Sequence, residues 1–223
     1  MLHRLFVLII SFSSKTLISF ETITCDPDSP IDCVENLKQK ILGYFVVEGE
    51  DDKYFESTPP KFDALVYTQN ALDNLTNDDI FLDYLDKAIK SDPNFFEPNT
   101  HKIAYYYNKG QYKIADSLRL LLDGKTNLSK RQENIMLFYE SILKGKNDKA
   151  FRAHRNEYGI AYKDISTNMS DMTITLQLVY RPKDIEAIYK EIDMDDMNLE
   201  NCQRCGFRYY LMGLADVELG NYD

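Results

Sequence analysis

The chain is poor in the residues that most metal and nucleophile chemistry requires. Its 223 residues include three histidines, His3, His101 and His154, and four cysteines, Cys25, Cys33, Cys202 and Cys205. A structural zinc site takes two Cys-x-x-Cys pairs, or one pair with histidines at ligand spacing. Cys202 and Cys205 make a single pair with no histidine nearby, so two thiols at the start of a helix are expected rather than zinc or a redox couple. Cys25 and Cys33 are spaced to close a short loop over residues 26–30 in an oxidising compartment. Also missing are a Gly-rich phosphate loop, a Gly-x-Ser-x-Gly elbow and a His-Glu-x-x-His helix. Asp193, Asp195, Asp196 and Glu200 cluster, but without the turn Gly and the closing Glu of an EF-hand loop. No cofactor, no metal and no enzymatic activity are expected.

Positive charge is short too. Lys and Arg total 26 against 36 Asp and Glu, a net charge of -10 and a pI near 4.8. Phosphate neutralisation by Lys and Arg drives nucleic-acid binding, so this balance opposes it, and it opposes anionic lipid as well. A basic or neutral protein partner suits it better. Long apolar runs are absent. Residues 5–12 are apolar after the charged Met1–Arg4, but the run is far too short to span a bilayer. It reads as a short export signal without a clean cleavage site, as a buried strand, or as a start codon inside a longer gene. Membrane insertion is not expected, and the cytoplasm is favoured unless residues 1–12 are a real signal. Tryptophan is absent, whereas tyrosine occurs 16 times, mostly as expected inter-helix packing with a few rings on a binding surface. Asn74, Asn127 and Asn168 begin glycosylation sequons by pattern alone.

What is present is helical periodicity. Residues 15–24 alternate β-branched and apolar residues as a strand does. Residues 26–32 are a Pro- and Asp-rich loop, and Val34, Leu37, Ile41, Leu42 and Phe45 mark one helix face. Three parts follow: an N-terminal strand–helix segment at 1–48, an acidic linker at 49–60 and a helical array at 61–223. Within the array, helices are expected at 62–74, 78–91, 96–108, 112–122, 130–143, 148–162, 170–179, 183–192 and 202–219. Short polar turns between them imply antiparallel neighbours.

An internal repeat organises the array. In the stretch YLDKAIKSDPN (84–94), Ala88 is a small residue before a turn and Pro93 ends the helix. In YYYNKGQYKIA (105–115), Gly110 suits a left-handed helix end, Tyr112 covers the turn and Ala115 permits close helix approach. Gly145 and Ala150 repeat that turn. Gly213, Ala215, Gly220 and Tyr222 repeat it near the end, and Ala187 takes the small position after Pro182. These motifs resemble the tetratricopeptide repeat. The departures are Asn99 for an aromatic, Phe81 for a small residue, and later units longer than the standard one. The resemblance implies an all-α, right-handed α-solenoid of about four and a half antiparallel helix pairs, with a short N-terminal strand–helix remnant. Lys15, Leu17, Ile18, Phe20 and Glu21, followed by the helix at 33–45, resemble the end of the TolB-like domain that precedes such repeats in bacterial signalling proteins. The array is expected to be truncated, because the helix at 202–219 and the turn at 220–223 begin a repeat that stops.

The resemblance implies a protein–protein interaction scaffold with a concave groove formed by first helices. Carried over by position, the groove takes Asn70 and Asp73 from the first repeat, and Thr100, Ala104, Tyr107 and Asn108 from the second. Ile135, Tyr139 and Ile142 come from the third, Met172 and Leu176 from the fourth, and Tyr210, Leu214 and Val217 from the last. The apolar and aromatic content implies an extended peptide or partner helix as ligand. The alternative is the sensory or regulatory part of a signalling protein whose kinase, cyclase or transcriptional output domain lies outside this chain.

Overall fold

The structure, a computed structural model, describes residues 3–5, 8–10, 17–19, 23–25, 29–47, 59–124, 128–193 and 202–222. It divides into two compact units, one of Met1–Glu48 with Thr58–Phe95, the other including Phe96–Asp223. From Pro30 onward every described element is helical, so the helical part is all-α as expected. The division falls after Phe95, so the N-terminal segment and the first helical hairpin share a unit. Most of the acidic linker, residues 49–58, lies outside the described residues.

In the first unit, β1 (His3–Leu5) pairs antiparallel with β4 (Ile23–Cys25), and β2 (Leu8–Ile10) with β3 (Leu17–Ser19). The strand expected at 15–24 is thus two short strands. Leu17 and Ile18 lie in β3, whereas Lys15, Phe20 and Glu21 lie outside the described residues. Helix α1 (Pro30–Val47) opens on proline, whose missing N–H costs nothing at a first helical position. Among its described side chains Cys33 and Leu37 are buried, as is Gly43, and Cys33 is disulfide-bonded. Gly43 lies against the backbone after α1: a Cβ there would meet the Pro60 carbonyl oxygen at 1.9 Å.

Helices α2 (Phe62–Leu72) and α3 (Asp78–Ser91) form the unit's hairpin, burying Ala64, Thr68 and Ala71 on one and Phe81, Leu85 and Ala88 on the other. The Asn77 side chain caps α3 by accepting from the Ile80 N–H at 3.2 Å. Asp92 follows α3 with extended backbone (φ −136°, ψ 92°). The next residue, Pro93, excludes the α conformation at Asp92, which is why the helix stops. The Asp92 carboxylate is buried and ties the unit together. It accepts from Lys40 Nζ at 3.0 Å and from the Lys61 N–H at 2.9 Å, while Lys40 also donates to the Pro59 carbonyl at 2.9 Å.

The second unit begins with two helical hairpins, α4 (Glu97–Asn108) with α5 (Tyr112–Asp123) and α6 (Lys130–Leu143) with α7 (Asn147–Ala161). Helix α8 (Ile165–Thr173) runs into a π-helical turn at Ile174–Leu178. A 3-10 turn at Pro182–Asp184, α9 (Ile185–Lys190) and α10 (Gln203–Leu219) complete it. The helix expected at 170–179 therefore starts earlier. Asp164 caps it, accepting from both the N–H and the hydroxyl of Thr167 at 2.7 Å.

Three turns share one geometry. Gly110, Gly145 and Gly220 take φ of 72°, 67° and 78°. In each, the N–H of the following residue returns to a carbonyl five residues back: Gln111 to Tyr106 at 2.8 Å, Lys146 to Ser141 at 2.8 Å, Asn221 to Asp216 at 2.9 Å. This is the Schellman closure, in which a left-handed residue lets orphan carbonyls at a helix end find donors. Ala115 and Ala150, five residues past their glycines, are wholly buried.

A fourth turn keeps the spacing without glycine. Tyr180, 35 residues after Gly145 as Gly145 is after Gly110, is the described non-glycine residue with positive φ, at 50°. Here the Arg181 N–H reaches back six residues, to the Thr175 carbonyl at 2.9 Å, because the π turn inserts one extra residue. Five positions past Tyr180 stands Ile185, wholly buried. Two small-residue assignments are corrected. Ala187 is exposed, because the turn at Tyr180 sets the register and gives the buried position to Ile185. Gly213 is exposed with nothing within 4 Å of an added Cβ, so no close helix approach requires it. Ala215 is the buried small residue of α10.

Apolar clusters fill this unit, among them one of Phe96, Ile103, Ala115, Leu122 and Met136 and another of Met172, Leu176, Ile185, Ile188, Leu211 and Ala215. Buried polar pairs accompany them. Arg131 places Nε and Nη2 each 2.6 Å from Glu157 Oε1. Arg208 donates to Asn168 Oδ1 at 2.9 Å and to the Tyr189 carbonyl at 2.5 Å, and Asn168 Nδ2 donates to the Ile188 carbonyl at 2.8 Å. These bonds join α8, α9 and α10. Among the described residues, no helix is long and apolar enough to cross a membrane.

Candidate binding surface

The repeated turns give a ruler for the expected groove. Ten, six and three residues before the turn glycine lie Thr100, Ala104 and Tyr107 on α4. The same offsets give Ile135, Tyr139 and Ile142 on α6, and Tyr210, Leu214 and Val217 on α10. Counted back from Tyr180, they give Ser170, Ile174 and Gln177, of which the first two are half-buried and the third exposed.

Met172 and Leu176, the residues expected there, are 0% and 6% exposed within the apolar cluster and offer no surface to a ligand. Their assignment is corrected: an apolar pattern selects the inward face, and only the turn position separates the two faces. Thr100 is also buried, its hydroxyl donating to the Glu97 carbonyl at 2.7 Å. Ile135 and Tyr139 are half-buried against the cluster of Ile103 and Met136. Tyr139 Oη donates to the Thr100 carbonyl at 3.5 Å, so this ring bridges α6 and α4, and burial pushes its phenol pKa up. Tyr107 is half-buried, 5.3 Å from the exposed Tyr112 ring over the turn. Its phenol is raised by burial and then by Tyr112. Ile142 and Leu214 are half-buried, whereas Asn108, Tyr210 and Val217 are exposed, Tyr210 beside Phe207 at 5.7 Å. Tyr222 is exposed beyond the Gly220 turn. In the first unit, Asn70 is half-buried, its carbonyl accepting from Asn74 Nδ2 at 2.8 Å, and Asp73 is exposed and accepts from Gln69 Nε2 at 2.8 Å.

His101 pairs with Glu97 at 3.3 Å where both side chains are partly exposed, whereas His154 points inward. His154 Nδ1 lies 3.1 Å from Asp171 Oδ1, and Asp171 Oδ2 lies 3.1 Å from Arg155. A general base must reach a substrate proton within hydrogen-bond distance. His154 and Asp171 are 4% and 0% exposed, so the pair holds α7 to α8 as interior structure. Among the described residues no group of three His, Cys, Asp or Glu side chains is placed to hold a metal ion. Of the acidic cluster, Asp193 is described, while Asp195, Asp196 and Glu200 lie outside the described residues, as does the sequon residue Asn127. Asn168 is wholly buried with its amide bonded, which closes that sequon to a glycan in the folded chain.

Cys202 and Cys205 are not free thiols: they are joined as a disulfide at the start of α10. Cys202 Sγ accepts from the Cys205 N–H at 3.2 Å and so caps the helix. Comparison with protein families, curated proteins and solved structures returns no match.

Proposed function

We propose that the helical region is a tetratricopeptide-type solenoid that holds a protein or peptide partner and carries out no chemistry of its own. The observation that supports this reading most is the turn recurring at residues 110, 145 and 180, each with a left-handed residue and a buried residue five positions on. A chain that reverses at a fixed interval offers equivalent positions of successive first helices to one side, and stacked units of this kind build extended binding surfaces. The positions so offered are largely apolar or aromatic: Ala104, Tyr107, Ile135, Ile142, Ile174, Tyr210, Leu214 and Val217. Such a set suits a partner helix or extended peptide with apolar anchors, and the net charge of -10 favours a basic one.

The test is selection of peptides from a random display library on the full chain, followed by titration of the enriched sequence. One apolar, basic motif should emerge, binding with Kd on the order of micromolar and weakened about tenfold by Tyr210→Ala with Gln177→Ala. Tyr222→Ala should leave it unchanged. A library without enrichment, or an equal loss on Tyr222→Ala, refutes the proposal.

A further inference from the structure

Positive charge is scarce in this chain, yet it converges at one place. An open surface cavity of about 670 Å³ is lined by Gly145, Lys146, Asn147, Asp148, Lys149 and Arg152 from the α6–α7 turn, with Leu178, Val179 and Arg181 from the turn at Tyr180. Four cations face one carboxylate, a local charge of +3 on a chain of net charge -10. Several lysines elsewhere are paired with neighbours, as in Lys130–Glu133, Lys144–Glu140 and Lys190–Glu186. Lys146, Lys149, Arg152 and Arg181 make no ion pair within 4.0 Å among the described residues, although Lys149 acts on the Glu140 carboxylate from further away. Arg181 is instead held with its guanidinium 5.0 Å from the Phe151 ring, which leaves its donors available. Three observations coincide here: concavity, an excess of one charge and unspent donors. The first-turn amides of α7 at the same place have no side-chain cap and add donors of the same sign.

We propose that this cavity is a binding site for a phosphoryl group. A single carboxylate brings one negative charge to four cations. A phosphate monoester brings up to two charges and three strong acceptor oxygens, and arginine's planar fork matches their geometry. The site lies at the turns and not on the helix faces offered to a peptide, so it stands or falls separately from the scaffold reading. A phosphoryl group reaches it from a small phosphate compound or from a phosphorylated side chain of a partner.

Isothermal titration of the full chain at low salt distinguishes these sources. The probes are inorganic pyrophosphate, a phosphoserine peptide and the same peptide unphosphorylated. Single-site saturation with a sub-millimolar Kd is expected, weakened about tenfold or more by Arg152→Gln with Lys149→Gln and unchanged by Lys130→Gln. Both replaced side chains reach solvent, and circular dichroism verifies that the variant keeps its helices. Pyrophosphate binding at least as tightly as the phosphopeptide assigns the site to small phosphates. Tighter binding of the phosphopeptide, with its unphosphorylated twin silent, assigns it to a modified partner. Absence of saturation by every probe up to ~10 mM, or binding untouched by the double variant, overturns the proposal.

Discussion

Replacing Arg131 by methionine isolates the energetics of the polar interior. Arg131 and Glu157 are 6% and 1% exposed, and two guanidinium nitrogens lie 2.6 Å from the same oxygen, Oε1. The other oxygen, Oε2, is buried with no donor among the described residues, so the carboxylate depends on Arg131. Removing one partner of a buried pair leaves a charge stranded, which costs about 3–5 kcal/mol, whereas replacing both by apolar residues is often neutral. Arg131→Met should therefore lose about 3 kcal/mol or more at neutral pH, and Arg131→Met with Glu157→Leu should recover most of it. Acidity decides whether the stranded charge is the cause. Burial pushes the Glu157 carboxyl above the ordinary carboxylate pKa, and the hydrogen bond from Arg131 opposes that rise. A carboxyl raised on folding contributes stability that is fully present below its unfolded pKa and lost as pH rises through its folded pKa. Without Arg131 the folded pKa climbs further, so the penalty should shrink in mild acid, where Glu157 takes up a proton. Urea denaturation of the native chain and both variants, at pH 7 and pH 5, measures this. A penalty equal at the two pH values, or a double variant as unstable as the single one, refutes the argument.

Two further outcomes test the turns and the cross-link. Gly145→Ala forces a Cβ into the left-handed region and should cost roughly 1 kcal/mol in urea denaturation, whereas Tyr180→Gly relieves the same conformation and should leave the melting temperature unchanged or higher. A large loss on Tyr180→Gly would mean that the exposed phenol, which donates to Glu218, holds the turn. Cys202→Ser with Cys205→Ser keeps an oxygen at the cap of α10 but opens a very short loop, so thermal unfolding should report a loss of about 2 kcal/mol or less. A loss well above that would show the disulfide constraining more than its own turn.

What is legible in the sequence follows from which physical demands leave a residue-specific mark. A left-handed helix end demands glycine at little cost, so Gly110, Gly145 and Gly220 stand out from residue type and spacing alone. A helix stop before proline is equally plain at Asp92–Pro93, and Asn77 signals the start of α3. Asp164 carries the same kind of signal for α8, but the more apolar stretch after Ser170 masks it. The Arg131–Glu157 and Asn168–Arg208 pairs join residues 26 and 40 positions apart, and no local pattern links them.

The fourth turn shows why a search keyed to residue type fails where one keyed to spacing does not. Tyr180 accepts the left-handed conformation against its steric preference, a π turn adds a residue before it, and Ile185 fills the place alanine takes elsewhere. Each substitution erases one letter of the motif, yet the interval of 35 residues persists. Reading α8 by its apolar residues selects Met172 and Leu176, the face it buries. Reading it from the turn selects Ser170 and Ile174, which are half-buried, and Gln177, which is exposed. Burial claims the apolar side of the helix, so hydrophobic pattern alone returns the inward face.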